Sequence, residues 1–235
     1  MSKMKQTAVG NTVLRALSRK SCQNILTHCE KVKITYGQVL NEAGDRIRHV
    51  YFPNSGLISL LTMVDGHKSV EVGMVGSEGM VGLPLVLGIN VSPVRALVQG
   101  SGIAMRMKAT YFEKEIKHSP ALRRELNHYL YVLMAQVSQT AACNRHHLLG
   151  ARLARWLLMT HDRLRSDDFR LTQNFLSHML GVRRVGVSKA AAMLKRKKLI
   201  RYSRGNITIL NRKGLERESC RCYKAVNDIR ERMIN

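Results

Sequence analysis

The sequence predicts an α+β fold in three parts. Residues 1–115 should form an N-terminal antiparallel β-barrel or jelly roll, residues 116–145 one long helix, and residues 146–235 a helical unit built around a helix, a turn, a helix and a hairpin. Three observations predict this. From Arg46 to Met107 the chain is a series of short strands punctuated by Gly, Pro, Asn and Asp. Near Thr110 the apolar period changes from 2 to 3.6. From Arg170 to Lys213 there are 12 Lys or Arg and no Asp or Glu.

The opening residues 1–20 are polar, and residues 21–35 suit a short helix running into a strand. Gly37 and Asn41-Glu42-Ala43-Gly44 mark turns. His49-Val50-Tyr51-Phe52 is a strand ending at Pro53. Gly56–Val64 is a second, followed by Asp65-Gly66, a hairpin dipeptide. Ser69–Val75 sets Val70, Val72 and Met74 against Ser69, Glu71 and Gly73, the alternation of a half-buried strand. After the interruptions at Gly76, Gly79, Gly82 and Gly88, strands resume at Arg95–Gln99 and Ile103–Met107.

Ser119-Pro120 starts a helix, with Ser as cap and Pro at the first position. It should run to about Cys143. Leu122, Leu126, Tyr129, Leu133 and Val137 step along it by 3 and 4, and Leu130 and Met134 widen the stripe. Such a seam fits a coiled-coil contact between two copies, or a helix packed in the core of its own chain. His147–Arg163 is a further helix with Leu149, Leu153, Trp156 and Leu157 inward, and Arg165–Asp168 a polar linker. Thr172 caps the next helix, whose apolar face is Phe175, Leu176, Met179 and Leu180. Gly181 turns the chain. The second helix, about 183–198, buries Val187, Ala191 and Leu194 and presents Arg184, Val185, Ser188 and Lys189 on the opposite face. Strands near Leu199–Tyr202 and Ile207–Leu210 are joined by Ser203-Arg204-Gly205-Asn206, and Leu215–Asn235 is an amphipathic terminal helix.

Of 235 residues, 45% are hydrophobic, enough for a packed core, and the net charge is +23. Residues 1–140 hold 17 basic and 9 acidic groups; residues 141–235 hold 22 and 7. A folded unit this one-sided is built to face a polyanion. No secretory signal opens the chain, and Met80–Leu87, its most apolar run, is far too short to span a membrane, so no membrane partner and a cytoplasmic location are expected. There the five cysteines, Cys22, Cys29, Cys143, Cys220 and Cys222, should be free thiols. Phosphate loops, Ser-His-Asp or Cys-His arrangements and paired-carboxylate sites are missing from the sequence, and 16 acids leave few for catalysis, so an enzyme is not expected.

The order of parts resembles the Crp/Fnr family of bacterial transcription regulators along nearly the whole chain. The resemblance is carried by Tyr51-Phe52-Pro53-Asn54-Ser55-Gly56, by Val75-Gly76-Ser77-Glu78-Gly79-Met80-Val81-Gly82 and by Ala142-Cys143-Asn144-Arg145-His146-His147. Its most specific piece is Leu180–Ser188 followed by Ile200–Thr208. It implies a cyclic-nucleotide-binding-like sensor domain, a dimerisation helix and a winged helix-turn-helix DNA-binding domain. The implied partners are double-stranded DNA with a palindromic operator, a second copy of the chain, RNA polymerase, and a small-molecule effector or none.

The family's base-reading positions match Arg184, Val185 and Lys189. Arg184 and Lys189 can donate to guanine O6 and N7. Val185 departs from the acidic residue of the best-known members and can only touch a thymine methyl. Ser188 lies beside them, Arg183 suits a phosphate, and so do Thr172, Gln173 and Arg204 from a helix start and a wing tip. Gly186 costs the helix about 1 kcal/mol relative to Ala and can let the backbone approach DNA. The run Lys195-Arg196-Lys197-Lys198 suits phosphate or a solvated helix end equally.

In members that bind cyclic nucleotides, a Gly-Glu pair holds the ribose and an Arg-Ser pair the phosphate. Gly82 and Arg95 match, but Leu83 replaces the Glu and Ala96 the Ser. The effector expected in that pocket is therefore not a cyclic nucleotide. Iron–sulfur members use clustered N-terminal cysteines; only Cys22 and Cys29 lie there, so no cofactor is expected. His146-His147 beside Cys143 suggests zinc, but adjacent histidines on a helix diverge, and no metal is expected. The alternative reading is a cyclic-nucleotide-responsive regulatory protein whose basic C-terminus binds a partner other than DNA.

Overall fold

The computed structural model describes residues 10–64 and 68–234, so the Asp65-Gly66 dipeptide lies outside the described residues. The chain divides into two compact units. One comprises residues up to 60 together with 74–133; the other comprises 61–73 together with 134–233.

The first unit opens with α1 (Thr12–Arg15) and α2 (Arg19–Thr27), capped by Asn11 and Ser18 side chains. Asn11 is buried and also donates to the Pro53 and Gly79 carbonyls, which ties the N-terminal turn to the sheets. Strands β1 (Cys29–Ile34), β2 (Val39–Asn41), β3 (His49–Pro53), β4 (Leu57–Val64), β5 (Lys68–Val75), β6 (Arg95–Gly100) and β7 (Gly102–Lys108) follow. They form two antiparallel-strand layers, ordered β1-β7-β3 and β2-β6-β4-β5. The jelly-roll expectation thus takes the form of two sheets. Ile34, Phe52, Leu57, Ile58, Met74 and Met105 are fully buried, and Phe112 from α3 (Ala109–His118) joins them, tilted against Phe52.

The alternation expected in β5 is inverted near its start. Glu71 is buried, 6% exposed, while Val70 and Val72 are only half-buried. Glu71 Oε1 accepts a hydrogen bond of 2.8 Å from Trp156 Nε1. Both residues belong to the second unit, so this end of the hairpin packs by that unit's needs and not by the sheet's.

Helix α4 (Pro120–His146) starts at the expected Ser119, whose hydroxyl accepts from the Leu122 N–H, and runs three residues beyond Cys143. Its apolar residues separate into two faces. Leu122, Leu126 and Tyr129 are buried in the single chain, Tyr129 lying over Gly79, where any Cβ would overlap its ring. Leu130, Leu133 and Val137 are half-buried, and Met134 is 61% exposed. The stripe of seven residues is therefore a core face at its start and an outward face further on.

The second unit holds α5 (Leu149–Leu164), β8 (Asp168–Arg170), α6 (Gln173–Met179), α7 (Arg184–Arg196), β9 (Ile200–Ser203), β10 (Asn206–Ile209), α8 (Arg212–Glu218) and α9 (Cys222–Ile234). Leu153, Trp156 and Leu157 are buried as expected. The linker after α5 contributes a strand: β8 pairs with β10, making the expected hairpin a three-stranded sheet ordered β8-β10-β9. The predicted single terminal helix is two, broken around Ser219–Arg221. Among the described residues no helix is long and apolar enough to cross a membrane.

Candidate nucleic-acid interface

Local chemistry sets the site. Thr172 Oγ1 accepts from the Phe175 N–H at 3.1 Å and fixes the start of α6. Gly181 takes φ +63 at the turn, where a Cβ would be strained. Val187, Ala191 and Leu194 anchor α7 inward, leaving Arg184, Val185 and Lys189 exposed; Val185, an apolar side chain, is 65% exposed. Arg183 is the N-cap residue of α7, just before its first turn, and is exposed. Arg204 and Gly205, both at positive φ (49 and 80), make the two-residue loop between β9 and β10, the backbone of a primed hairpin turn.

Thr172, Gln173, Asn174, Arg184, Tyr202, Ser203, Arg204 and Gly205 line one open groove of about 520 Å³. The starts of α6 and α7 and the hairpin tip thus meet around it. Of the eight predicted contact residues, Thr172, Gln173, Arg184 and Arg204 share this groove. Lys189 and Val185 lie along the exposed face of α7.

Gln173 has a role that reading one residue at a time missed. Its Oε1 accepts from Arg184 Nε at 3.3 Å and from Ser188 Oγ at 2.8 Å. Arg184 and Ser188 are thus oriented by a side chain on the neighbouring helix. Tyr202, also missed, donates its hydroxyl to the Leu171 carbonyl at 2.8 Å and joins the hairpin to the start of α6. Burial pushes its phenol pKa up, with Arg184 opposing the shift.

Gly186 has a packing reason. A Cβ there would stand 3.0 Å from Leu149 of α5, and one at Gly150 would stand 2.5 Å from Met193 of α7. The two glycines allow the close α5–α7 contact, so Gly186 faces the protein. In the basic run, Lys197 pairs with Glu218 at 2.6 Å, whereas Lys195, Arg196 and Lys198 are exposed.

The predicted effector residues show no comparable convergence of polar groups. Gly82 takes φ +96 and caps a short 3-10 turn, Leu83–Leu87; Leu83 and Ala96 are buried apolar side chains. Arg95 directs Nε and Nη2 at Glu42 Oε1, at 3.2 and 2.8 Å. A cavity of about 410 Å³ in this unit is lined by Glu42 with Arg46, Arg48 and His49. Of the N-terminal cysteines, Cys22 is buried in α2, and burial pushes the Cys29 thiol up to about 12. The remaining three cysteines come together with His147, not with His146: their ligand atoms all lie within 4.8 Å of one another.

Residues 151–218 match the Crp-like helix-turn-helix domain. No curated protein matches the chain. Among solved structures, a Crp/Fnr-family transcriptional regulator from Eubacterium rectale aligns with TM-score 0.69 at 17% identity, over 86% of this chain and 94% of its own. FixK2 from Bradyrhizobium japonicum aligns with TM-score 0.69 at 14% identity, over 82% and 98%. A Crp/Fnr-family regulator from Thermus thermophilus aligns with TM-score 0.66 at 21% identity, over 81% and 98%.

Proposed function

We propose that this chain, a Crp-like helix-turn-helix domain at residues 151–218 on the Crp/Fnr regulator fold, is a sequence-specific DNA-binding transcription regulator. The observation that carries the reading is the groove shared by Thr172, Gln173, Arg184 and Arg204, set in a stretch with 12 basic and no acidic residues. Helix α7 has the width of the major groove, and its first turns carry donors for base edges. Thr172, Gln173, Arg183 and Arg204 flank it as phosphate contacts. Arg184 and Lys189 read guanine, and Val185 favours thymine. Ser188, held on Gln173, supports Arg184 more than it reads bases.

Selection from random duplexes tests this. A palindromic motif is the expected product, and binding with no sequence preference even at low salt would sink the reading. Within the selected motif, Arg184→Ala should cost about 1–3 kcal/mol at one base position and relax the choice there. An equal loss on every sequence would make Arg184 a phosphate contact instead.

A palindrome needs two copies. The outward part of α4, with Leu130, Leu133, Met134 and Val137 spaced by 3 and 4, is the proposed seam. Met134→Arg places a charge on that face at an exposed position. It should halve the mass seen by light scattering without lowering helicity; an unchanged dimer would exclude the seam. RNA polymerase is the proposed protein partner on DNA. The effector is proposed not to be a cyclic nucleotide, because the matching arginine, Arg95, is engaged by Glu42 and no Glu or Ser accompanies it.

A further inference from the structure

We infer that Cys143, His147, Cys220 and Cys222 form a binding site for a single zinc ion. The four come as two local pairs, 143/147 and 220/222, that lie 77 residues apart at Cys143 and Cys220 and meet in the second unit. Cys143 lies in the last turn of α4. His147 follows one turn later on the same face, its N–H bonded to the Cys143 carbonyl at 3.1 Å. Cys220 lies in the break between α8 and α9, and Cys222 opens α9.

Two of the six ligand–ligand distances match a tetrahedral ion, and all six lie within 4.8 Å. Zinc–sulfur bonds of about 2.3 Å and zinc–nitrogen bonds of about 2.0–2.1 Å give tetrahedron edges of about 3.5–3.8 Å. Cys143 Sγ and Cys220 Sγ are 3.4 Å apart, and Cys222 Sγ is 3.5 Å from His147 Nδ1. Two sulfurs at that separation are not bonded, since a disulfide needs about 2.05 Å. Three thiolates and one imidazole are a soft set that selects zinc, and spacing this tight suits one ion better than a multi-iron cluster. All three cysteines are buried while His147 is exposed, so the thiols are shielded and an entry path remains.

The surroundings suit the charge such a centre carries. Zinc with three thiolates and a neutral histidine has a net charge of −1. Arg152 and Arg155 lie within electrostatic reach of Cys143. Arg155 is only 6% exposed, and the Nε groups of both arginines are buried without a hydrogen-bond partner among the described residues. Gln139 Nε2 donates to Cys222 Sγ at 3.0 Å, a bond that steadies a thiolate. With zinc bound, the α8–α9 junction is fastened to the end of α4. Ion binding of this kind adds directly to folding stability.

The test uses the full chain, untagged and purified under reducing conditions. About one zinc per chain is expected by mass-spectrometric metal analysis. Removing it with a chelator should lower the melting temperature and expose three more reactive thiols. Cobalt in its place should show thiolate charge-transfer bands and the intense visible bands of tetrahedral coordination. Cys222→Ser should lose the metal, and Cys22→Ser should keep it in full. Should the variant at Cys222 fold poorly, the metal content and thiol count of the unaltered chain still decide. A reduced chain that neither carries zinc nor takes it up on titration would overturn the inference. So would a Cys143–Cys220 disulfide in protein taken directly from cells.

Discussion

Replacing Trp156 with alanine should destabilise the protein by about 3–5 kcal/mol, the range for truncating a large buried aromatic. The ring is buried on α5, and its indole N–H is a donor to the buried carboxylate of Glu71. Trp156→Phe separates the two contributions. It keeps most of the ring but removes the donor, and should cost about 1–3 kcal/mol, the penalty for leaving a buried polar group without that partner. Trp156 is the only tryptophan, so unfolding of these variants in urea is best followed by circular dichroism. A loss below about 1 kcal/mol for Trp156→Ala would show that the Trp156–Glu71 contact is not part of the stable core.

Operator affinity should fall by about 10³–10⁵ between 50 and 200 mM salt if a dimer makes about 6–10 phosphate contacts. Each chain offers Thr172, Gln173 and Arg204 around the groove and Arg183 at the N-cap of α7, with Lys195, Arg196 and Lys198 exposed at the far end of α7. Removing one cationic phosphate contact per protomer, as in Arg204→Ala, should flatten the slope of log affinity against log salt on every sequence alike. Fluorescence anisotropy on the selected duplex and on a scrambled one measures both slopes. A salt-insensitive interaction would mean that the acid-free stretch does not lie on phosphates.

What could be read from the sequence was local. The Thr172 cap, the Gly181 turn, the Ser119-Pro120 helix start and the Arg204-Gly205 loop each rest on residues within one turn of one another, and each appears as expected. What escaped depends on distant partners. Glu71 looked like the solvent side of β5 because its partner, Trp156, is 85 residues away. Cys143 and Cys220 looked unrelated at a separation of 77. Spacing along α4 reveals the apolar residues but not which of them the chain's own packing covers, so by itself it does not separate Leu122, Leu126 and Tyr129, which are buried, from an outward seam. Three-residue β8 is too short and charged to show periodicity, and only β10 makes it a strand. Gly186 was ambiguous for the same reason: nothing near it in sequence points to Leu149.

The single oxygen of Gln173 that receives both Arg184 and Ser188 has a consequence for how such a protein changes its preferences. Two side chains on α7 depend on one acceptor outside it. Substitutions at 173, 184 and 188 should therefore be non-additive, and a double-mutant cycle would measure the coupling. On the proposed reading, a substitution at residue 173 alone should shift sequence preference with α7 itself unchanged.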